Sequence, residues 1–294
     1  MIQVYLLAVS ELRRRMEEIM SAGKAPKTPE GAGGDRVRQT VLDGERFNME
    51  TLPGWRILAP WQQEKICRRA QTGARALSMG GQLLLQYGAN RRRTLLRERQ
   101  GGKDGERETD GAITWERLSY PRLLEDIWAP LPLQAAYGPY GKPYIADVPW
   151  HYNLSHSGDY VALAMGDAPV GIDIQQMRPY RDTLVRRFFA EREAAAYERT
   201  GETAACERTG AAAGPGERLY ADRESAYGDR TAFFYMLWCR KEAYGKLRGT
   251  GLTEDVLKRN MLEDVDARLY EYSEIPGYRV CVCSEAGCVA GEIG

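Results

Sequence analysis

The amino-acid sequence predicts an α+β fold, because apolar runs of strand length and segments of helical periodicity both occur along the chain. Residues 2–9 form a continuous apolar run that is typical of a buried strand. Residues 160–165 and 170–175 are two further strands, and the Gly-Asp-Ala-Pro turn between them favours a hairpin. Apolar residues at helical spacing predict a helix over 231–247, which ends at Gly249.

Further helices and three polar stretches connect these elements. Ser10 is a suitable N-cap for a helix over 11–20, and the spacing of apolar residues predicts two more helices between Trp61 and Tyr87. Stretches rich in Gly, Pro and polar residues cannot build a core, and we expect flexible insertions or loops there. They occupy about 21–53, about 100–110 and about 198–228.

Composition excludes several classes of protein. The 294 residues include 41 basic and 41 acidic side chains, whereas a dedicated nucleic-acid binder is usually strongly basic. No apolar run approaches the roughly 20 residues that span a bilayer, so no membrane segment is expected. The chain has two histidines, and its six cysteines show no zinc-ligand spacing. We expect reduced, buried thiols in a cytoplasmic protein.

Two elements carry candidate chemistry. In the strand 170–175, Asp173 and Gln175 share one face, opposite the apolar side chains. In the helix 231–247, Glu242 and Lys246 lie one turn apart on one face. Two carboxylates could hold Mg²⁺ while the lysine contacts a phosphate oxygen. Two alternatives stay open: Asp173 facing solvent, and an ordinary Glu242–Lys246 surface ion pair.

Five segments in a fixed order resemble the motifs of the 4′-phosphopantetheinyl transferase superfamily, in its longer surfactin-synthetase-activating type. The segments are Tyr140-Gly141-Lys142-Pro143, Tyr152-Asn153-Leu154-Ser155-His156-Ser157-Gly158, Val170-Gly171-Ile172-Asp173-Ile174, the run from Arg187 to Glu193, and the run from Leu237 to Lys246. Any one of these motifs is weak evidence, whereas five in order with plausible gaps are strong. The resemblance extends from residue 1 to about residue 255.

The resemblance implies a pseudo-dimer of two similar halves, each a small antiparallel sheet packed by helices. The halves would be residues 1–166 and 167–294, with coenzyme A in the cleft between them. No internal repeat of the halves is detectable in the sequence, so this architecture rests on the family. A monomer is expected, because both halves belong to one chain.

The resemblance also implies an activity and the residues that serve it. The enzyme would transfer 4′-phosphopantetheine from coenzyme A to a serine of an apo acyl or peptidyl carrier protein, with Mg²⁺, and release 3′,5′-ADP. Asp173 and Glu242 would ligate the metal, and Glu242, or a water that it orients, would accept the serine proton. Lys246 would contact the phosphate, and Gln175 stands where many members carry an acid, so its carbonyl or a water would complete the metal site.

The nucleotide contacts follow from the same resemblance. Lys142, Ser155 and His156 would hold the coenzyme A nucleotide, with His156 on the 3′-phosphate. Lys65 and Arg75 match basic positions near the nucleotide less closely.

The carrier protein would present an acidic helix to a basic patch. The candidate residues for that patch are Arg186, Arg187, Arg240 and Arg248, with Phe188 or Phe189 as an apolar contact. One alternative function is a non-catalytic carrier-protein or coenzyme A-binding module, degenerate at Gln175. Another is a different Mg²⁺-dependent phosphotransferase or nucleotide hydrolase, although the chain has no phosphate-binding GxxxxGK(S/T) loop.

Overall fold

The structure is a computed structural model that describes residues 1–22, 49–101, 113–127, 130–209, 230–263 and 265–286. Within these ranges no helix is both long and apolar enough to cross a membrane. The mixture of helices and small sheets confirms the predicted α+β class.

Strands and helices are numbered in chain order. The strands are β1 (Ile2–Ala8), β2 (Ile113–Leu118), β3 (Ala135–Tyr137), β4 (Pro143–Ile145), β5 (His151–Ser157), β6 (Tyr160–Gly166), β7 (Val170–Gln176), β8 (Ala267–Tyr272) and β9 (Tyr278–Glu285). The α-helices are α1 (Ser10–Ala22), α2 (Pro60–Cys67), α3 (Thr72–Gly101), α4 (Tyr120–Asp126), α5 (Thr183–Phe188), α6 (Glu191–Thr209), α7 (Arg230–Arg248) and α8 (Glu254–Lys258).

The chain divides into two compact units. Unit 1 comprises Met1–Ala135, Ile145–Val148 and Asp159–Met165. Unit 2 comprises Ala136–Tyr144, Pro149–Gly158 and Gly166–Gly294. Unit 2 therefore includes two segments that precede the predicted boundary at residue 166. These segments carry Lys142 and the β5 motif.

Unit 1 contains a sheet in which β1 lies between β2 and β6. β1 and β2 are parallel, with Ile2 opposite Ile113 and Leu7 opposite Leu118. The expectation of a purely antiparallel sheet in this half is therefore wrong. The physical reason is the long helical connection between β1 and β2, because a crossover of that kind joins parallel strands. β1 and α1 supply core side chains such as Leu6, Leu7 and Leu12.

Unit 2 contains an antiparallel sheet in the order β7-β9-β8. The predicted hairpin of β6 and β7 is wrong, because β7 pairs with β9 and places Asp173 opposite Cys281. Turn chemistry reports only local geometry, whereas this pairing joins residues about a hundred positions apart. α7 covers β7, and β5 packs beside it. Buried side chains of α5, α6 and α7 complete the core of the unit.

Gly171 permits the close approach of α7 to β7. A Cβ built on Gly171 would lie within 2.5 Å of Leu247 N and would also collide with Ala243 O. Both obstacles are backbone atoms, so no side-chain rotation could relieve the clash. The glycine of the Gly-Ile-Asp strand therefore determines how near the helix lies to Asp173.

A buried ion pair fastens α7 to its neighbours. Lys241 and Glu193 are both fully buried, and Lys241 Nζ lies 2.7 Å from Glu193 Oε2. Lys241 also donates to the carbonyls of Leu257 and Arg259, at 2.8 and 2.7 Å. Glu193 accepts from Ala190 N and from the amide of Met261. The pair thus joins α6, α7 and the segment after α8.

Parts of the three expected loops are helical or buried in the structure. α1 continues to Ala22, and Met49 and Leu52 are buried, so both ends of the expected first insertion belong to ordered structure. α3 continues to Gly101. Residues 198–209 belong to α6, because Ala, Glu and Arg favour helix over the single Gly201. The remainders of the loops, 23–48, 102–110 and 210–228, lie outside the described residues.

Candidate active site

Asp173 is the centre of a buried polar cluster in unit 2. It lies on β7 and is 1% exposed, so the alternative of a solvent-facing strand position is wrong. Because α7 covers this face of β7, the carboxylate is held by other side chains instead of by water. Its Oδ1 accepts from Ser155 Oγ at 2.8 Å and its Oδ2 accepts from Gln175 Nε2 at 3.0 Å.

Lys246 forms an ion pair with Asp173, with 2.7 Å between Nζ and Oδ1. The amine also donates to Ser155 Oγ at 3.0 Å and to the carbonyl of Ile172 at 3.1 Å. The Lys246 side chain is 26% exposed and that of Asp173 is 2% exposed. The lysine side chain is thus the part of this pair that solvent reaches, and the ionic partner of Lys246 comes from another element instead of from Glu242.

Ser155 connects the strand β5 to this ion pair. Its hydroxyl donates to Asp173 and accepts from Lys246, and it also accepts from Ile174 N at 3.4 Å. A hydroxyl has one donor and two acceptor positions, so all three are occupied. In this arrangement Ser155 orients Asp173 and Lys246.

Glu242 lies four residues before Lys246 on α7 and is partly buried. Burial raises the pKa of Glu242, the negative charge of Asp173 raises it further, and Lys246 opposes both. Glu242 thus lies on the same face of α7 as Lys246, and the charge of Asp173 repels its negative charge. One lysine offsets this repulsion only in part.

The donor set fits a divalent cation that prefers oxygen. A cation near Asp173 and Glu242 would relieve the repulsion that raises the pKa of Glu242. Among the described residues no group of three or more His, Cys, Asp or Glu side chains is placed to hold a metal. Two carboxylates suffice for Mg²⁺, which usually binds one or two of them together with waters and substrate phosphates.

Gln175 shares the face of Asp173, as its place two residues further along the strand predicts. Its Nε2 donates to Asp173 Oδ2. The amide would have to rotate before its carbonyl oxygen could face a cation beside that carboxylate. Gln175 is therefore in contact with Asp173, the candidate metal ligand. The NH₂ group of its side chain faces the carboxylate, and its carbonyl oxygen does not.

Two further residues of the β5 motif, to which the sequence analysis assigned no role, also hold β7. Asn153 Oδ1 accepts from Ile172 N at 2.9 Å, and Ser157 Oγ accepts from Gln176 N at 3.0 Å. Asn153, Ser155 and Ser157 occupy alternate positions of β5, so their side chains leave one face of the strand. This alternation of short polar residues was the available signal.

His156 points away from this cluster. It is exposed and alternates with Ser155 and Ser157 along β5. Lys142 donates to the carbonyls of Val170 and Leu247, at 3.1 and 3.2 Å. Its amine is thus engaged with the backbone of unit 2, and burial lowers the pKa of Lys142.

Lys65 and Arg75 belong to unit 1. Lys65 lies in the last turn of α2, where burial and, secondarily, Arg69 lower its pKa. Arg75 is buried in α3, and its Nε donates to the carbonyl of Arg69 at 2.7 Å.

Of the proposed basic patch, only the part on α5 presents exposed arginines without a described acidic partner. Arg186 and Arg187 are exposed, and the Arg187 guanidinium lies 5.1 Å from the centre of the half-buried Phe188 ring. Phe189, by contrast, is a core residue. Arg240 pairs with Glu271 at 2.9 Å and Arg248 pairs with Asp266 at 2.7 Å.

Comparison with known proteins finds similarity over the segment that carries these residues. Residues 169–287 match the family described as the 4′-phosphopantetheinyl transferase superfamily. This segment contains Asp173, Gln175, Glu242 and Lys246. It confirms the resemblance drawn from the motifs, and over these residues the chain is similar to that superfamily.

Particular relatives are transferases by name. The chain is 33% identical over 168 residues to the 4′-phosphopantetheinyl transferase psf-1 of Bacillus pumilus, a match that covers 52% of this chain and 61% of that protein. It is 30% identical over 159 residues to Sfp of Bacillus subtilis strain 168, covering 49% and 60%. It is 38% identical over 133 residues to AcpT of Salmonella typhi, covering 43% and 55%. These matches thus span less than two thirds of each relative.

Proposed function

We propose that this protein transfers 4′-phosphopantetheine from coenzyme A to a serine of an apo acyl or peptidyl carrier protein and releases 3′,5′-ADP. The observation that carries this proposal is the convergence of three motif residues on one place in unit 2. Lys246 pairs with Asp173, and the charge of Asp173 acts on Glu242. The transferase names of the relatives support the same conclusion.

The charge arrangement suits attack on a diphosphate. A diphosphate repels an oxygen nucleophile until its negative charge is neutralised, and fixed positive groups do this without reorganisation. Lys246 supplies such a group, because its side chain is partly exposed while Asp173 and Ser155 hold the amine in place. We assign the amine to a phosphate oxygen of coenzyme A.

Glu242 is assigned to the proton of the attacking serine. Glu242 lies one helical turn from Lys246, and so beside the amine that is assigned to the phosphate. The serine hydroxyl gives its proton to Glu242, or to a water that Glu242 orients, as the oxygen attacks phosphorus. The bond from that phosphorus to the departing 3′,5′-ADP breaks in the same reaction.

Asp173 and Glu242 are the proposed Mg²⁺ ligands, with Gln175 beside them. When bound, Mg²⁺ would neutralise negative charge on the phosphates. It would thereby reduce the repulsion between the phosphates and the two carboxylates. Ser155 positions Asp173 and Lys246, while the exposed His156 is assigned to the 3′-phosphate. Lys65 and Arg75 are proposed as further contributors to nucleotide binding. We also propose that the two units are the two related halves of a monomeric enzyme.

The test is mass spectrometry of apo carrier proteins incubated with coenzyme A, Mg²⁺ and this protein. The proposal expects the mass gain of one phosphopantetheine on the carrier serine, and 3′,5′-ADP released only when a carrier is present. Glu242→Gln and omission of Mg²⁺ should each abolish the gain. Coenzyme A binding with no mass gain on fatty-acid, polyketide and peptidyl carriers would instead identify a non-catalytic binding module.

A further inference from the structure

The outer edge of β7 is closed by side chains of unit 2. In the antiparallel sheet β7 is an end strand, and alternate residues turn their amide and carbonyl groups away from β9. Asn153, Ser155 and Ser157 accept from the outward amides of Ile172, Ile174 and Gln176. The unpaired edge of a sheet can usually pair with another strand. Here hydrogen bonds from the edge of β7 to side chains of β5 take the place of such a strand.

Two lysine side chains donate hydrogen bonds to outward-facing carbonyls on the same edge of β7. Lys142 Nζ donates to Val170 O at 3.1 Å, and Lys246 Nζ donates to Ile172 O at 3.1 Å. Each of these two consecutive outward-facing carbonyls therefore accepts a hydrogen bond from one lysine amine. The amine of Lys246 comes from α7, whereas that of Lys142 comes from the ribbon formed by β3 and β4.

The ribbon turn holds Lys142 in place. Gly138 N donates to Lys142 O at 2.9 Å, and Gly141 N donates to Gly138 O at 2.9 Å. Gly141 has a φ of 78°, which favours glycine. The stem of Lys142 then passes Gly249, where a Cβ would lie 3.5 Å from Lys142 Cδ.

Lys142 also reaches the end of α7. Its Nζ lies 3.2 Å from the carbonyl of Leu247, the residue directly after Lys246. Carbonyls in the last turn of a helix lack partners within the helix, and a cation there is favourable. One amine therefore ties the last turn of α7 to β7, beside the residues that hold Asp173.

We propose that Lys142 is a positioning residue, which fixes the last turn of α7 on β7 and so places the Lys246 amine for phosphoryl transfer. This inference rests on the proposed function. It differs from a direct contact between Lys142 and the nucleotide, because the amine lies between two backbone carbonyls, one of β7 and one of α7.

The two roles predict different effects of Lys142→Met, which keeps the length of the stem and removes the amine. A positioning residue lowers kcat by about tenfold to a hundredfold, because a small misplacement of a catalytic group has effects of that size. The coenzyme A dissociation constant, measured by calorimetry, stays within twofold of wild type. Lys142→Arg, which retains donors and charge, recovers part of kcat.

A measurement without turnover tests the positioning directly. Hydrogen–deuterium exchange of the full chain should be severalfold faster in Lys142→Met over residues 244–251 and unchanged in α1. Lys258→Met, an exposed lysine of α8, is the matched control and should leave that exchange unchanged. If Lys142→Met is poorly folded by circular dichroism, the same comparison is made with Lys142→Arg, for which a smaller increase is expected.

Two results would overturn the inference. One is unchanged exchange over 244–251, and the other is coenzyme A binding weakened tenfold or more with kcat preserved. Failure of the proposed function would look different: the wild-type protein would modify no carrier, while the exchange experiment would still report whether Lys142 fastens α7.

Discussion

The amine of Lys246 and the carboxylate of Asp173 form an ion pair across 73 positions of sequence, with 2.7 Å between Nζ and Oδ1. The lysine leaves α7 and the aspartate leaves β7, so the pair exists only after the helix packs on the strand. Ser155 contacts both partners from β5. Three motifs that are separate in sequence thereby become one polar cluster.

Removal of the Lys246 amine should abolish most turnover. Lys246→Met is expected to lower kcat on the order of 10²-fold, the usual effect of losing one fixed donor to a developing oxyanion. Lys246→Arg should retain part of the activity. Holo-carrier formation under saturating coenzyme A gives kcat, with Lys258→Met as the control. A kcat within twofold of wild type for Lys246→Met would contradict the assignment.

A second carboxylate beside Asp173 should strengthen metal binding. Gln175→Glu replaces a neutral amide that contacts Asp173 Oδ2, so a cation there would meet one more negative charge. The Mg²⁺ concentration for half-maximal rate is expected to fall. Gln176→Glu is the matched control, because the neighbouring strand residue faces the other way. An unchanged Mg²⁺ requirement in Gln175→Glu would place residue 175 outside the metal site.

A methyl group on Gly171 should push α7 away from β7. Since the new Cβ would collide with backbone atoms of α7, we expect Gly171→Ala to destabilise unit 2 by about 3 kcal/mol, at the upper end for overpacking. The midpoint of urea unfolding measures the change. Gly81→Ala is the control, because its Cβ would meet Val161 at an ordinary 3.6 Å. Equal midpoints for the two variants would contradict the packing argument.

The Lys241–Glu193 pair should be essential for stability. Lys241→Met leaves the fully buried Glu193 without a counter-ion, a change that typically costs about 3–5 kcal/mol. Thermal and urea unfolding measure the loss. Lys258→Met, at an exposed position, should stay within about 0.5 kcal/mol of wild type. The interpretation fails if the two lysine variants are equally stable.

The exposed arginines of α5 should affect carrier binding and not coenzyme A binding. Arg187→Glu is expected to raise KM for an acidic carrier at low salt, and added salt should reduce the difference from wild type. Arg14→Glu on α1 changes the net charge equally and serves as the control. Initial rates at varied carrier and coenzyme A concentrations separate the two effects. A salt-independent KM for the carrier would contradict electrostatic docking.

Local patterns predicted most of the individual elements. The apolar run at the start became β1, Ser10 begins α1, and the helix expected over 231–247 is α7. These predictions succeeded because they depend on periodicity and on capping, which adjacent residues determine. The β6–β7 hairpin prediction failed, since β7 pairs with the distant strand β9, and a partner about a hundred residues away leaves no signal in adjacent residues.

The sequence by itself determined the α+β class, the likeness to a transferase superfamily and the residue types of the site, because motif identity and spacing are properties of the chain. Only the tertiary structure decided that Asp173 is buried, that Lys246 pairs with it instead of with Glu242, and that Lys142 and Ser155 direct their polar groups to β7 and its neighbours. The reason is physical: the partner of a buried charge is whichever group folding brings within hydrogen-bond distance, and here those groups come from β5, α7 and the β3–β4 ribbon.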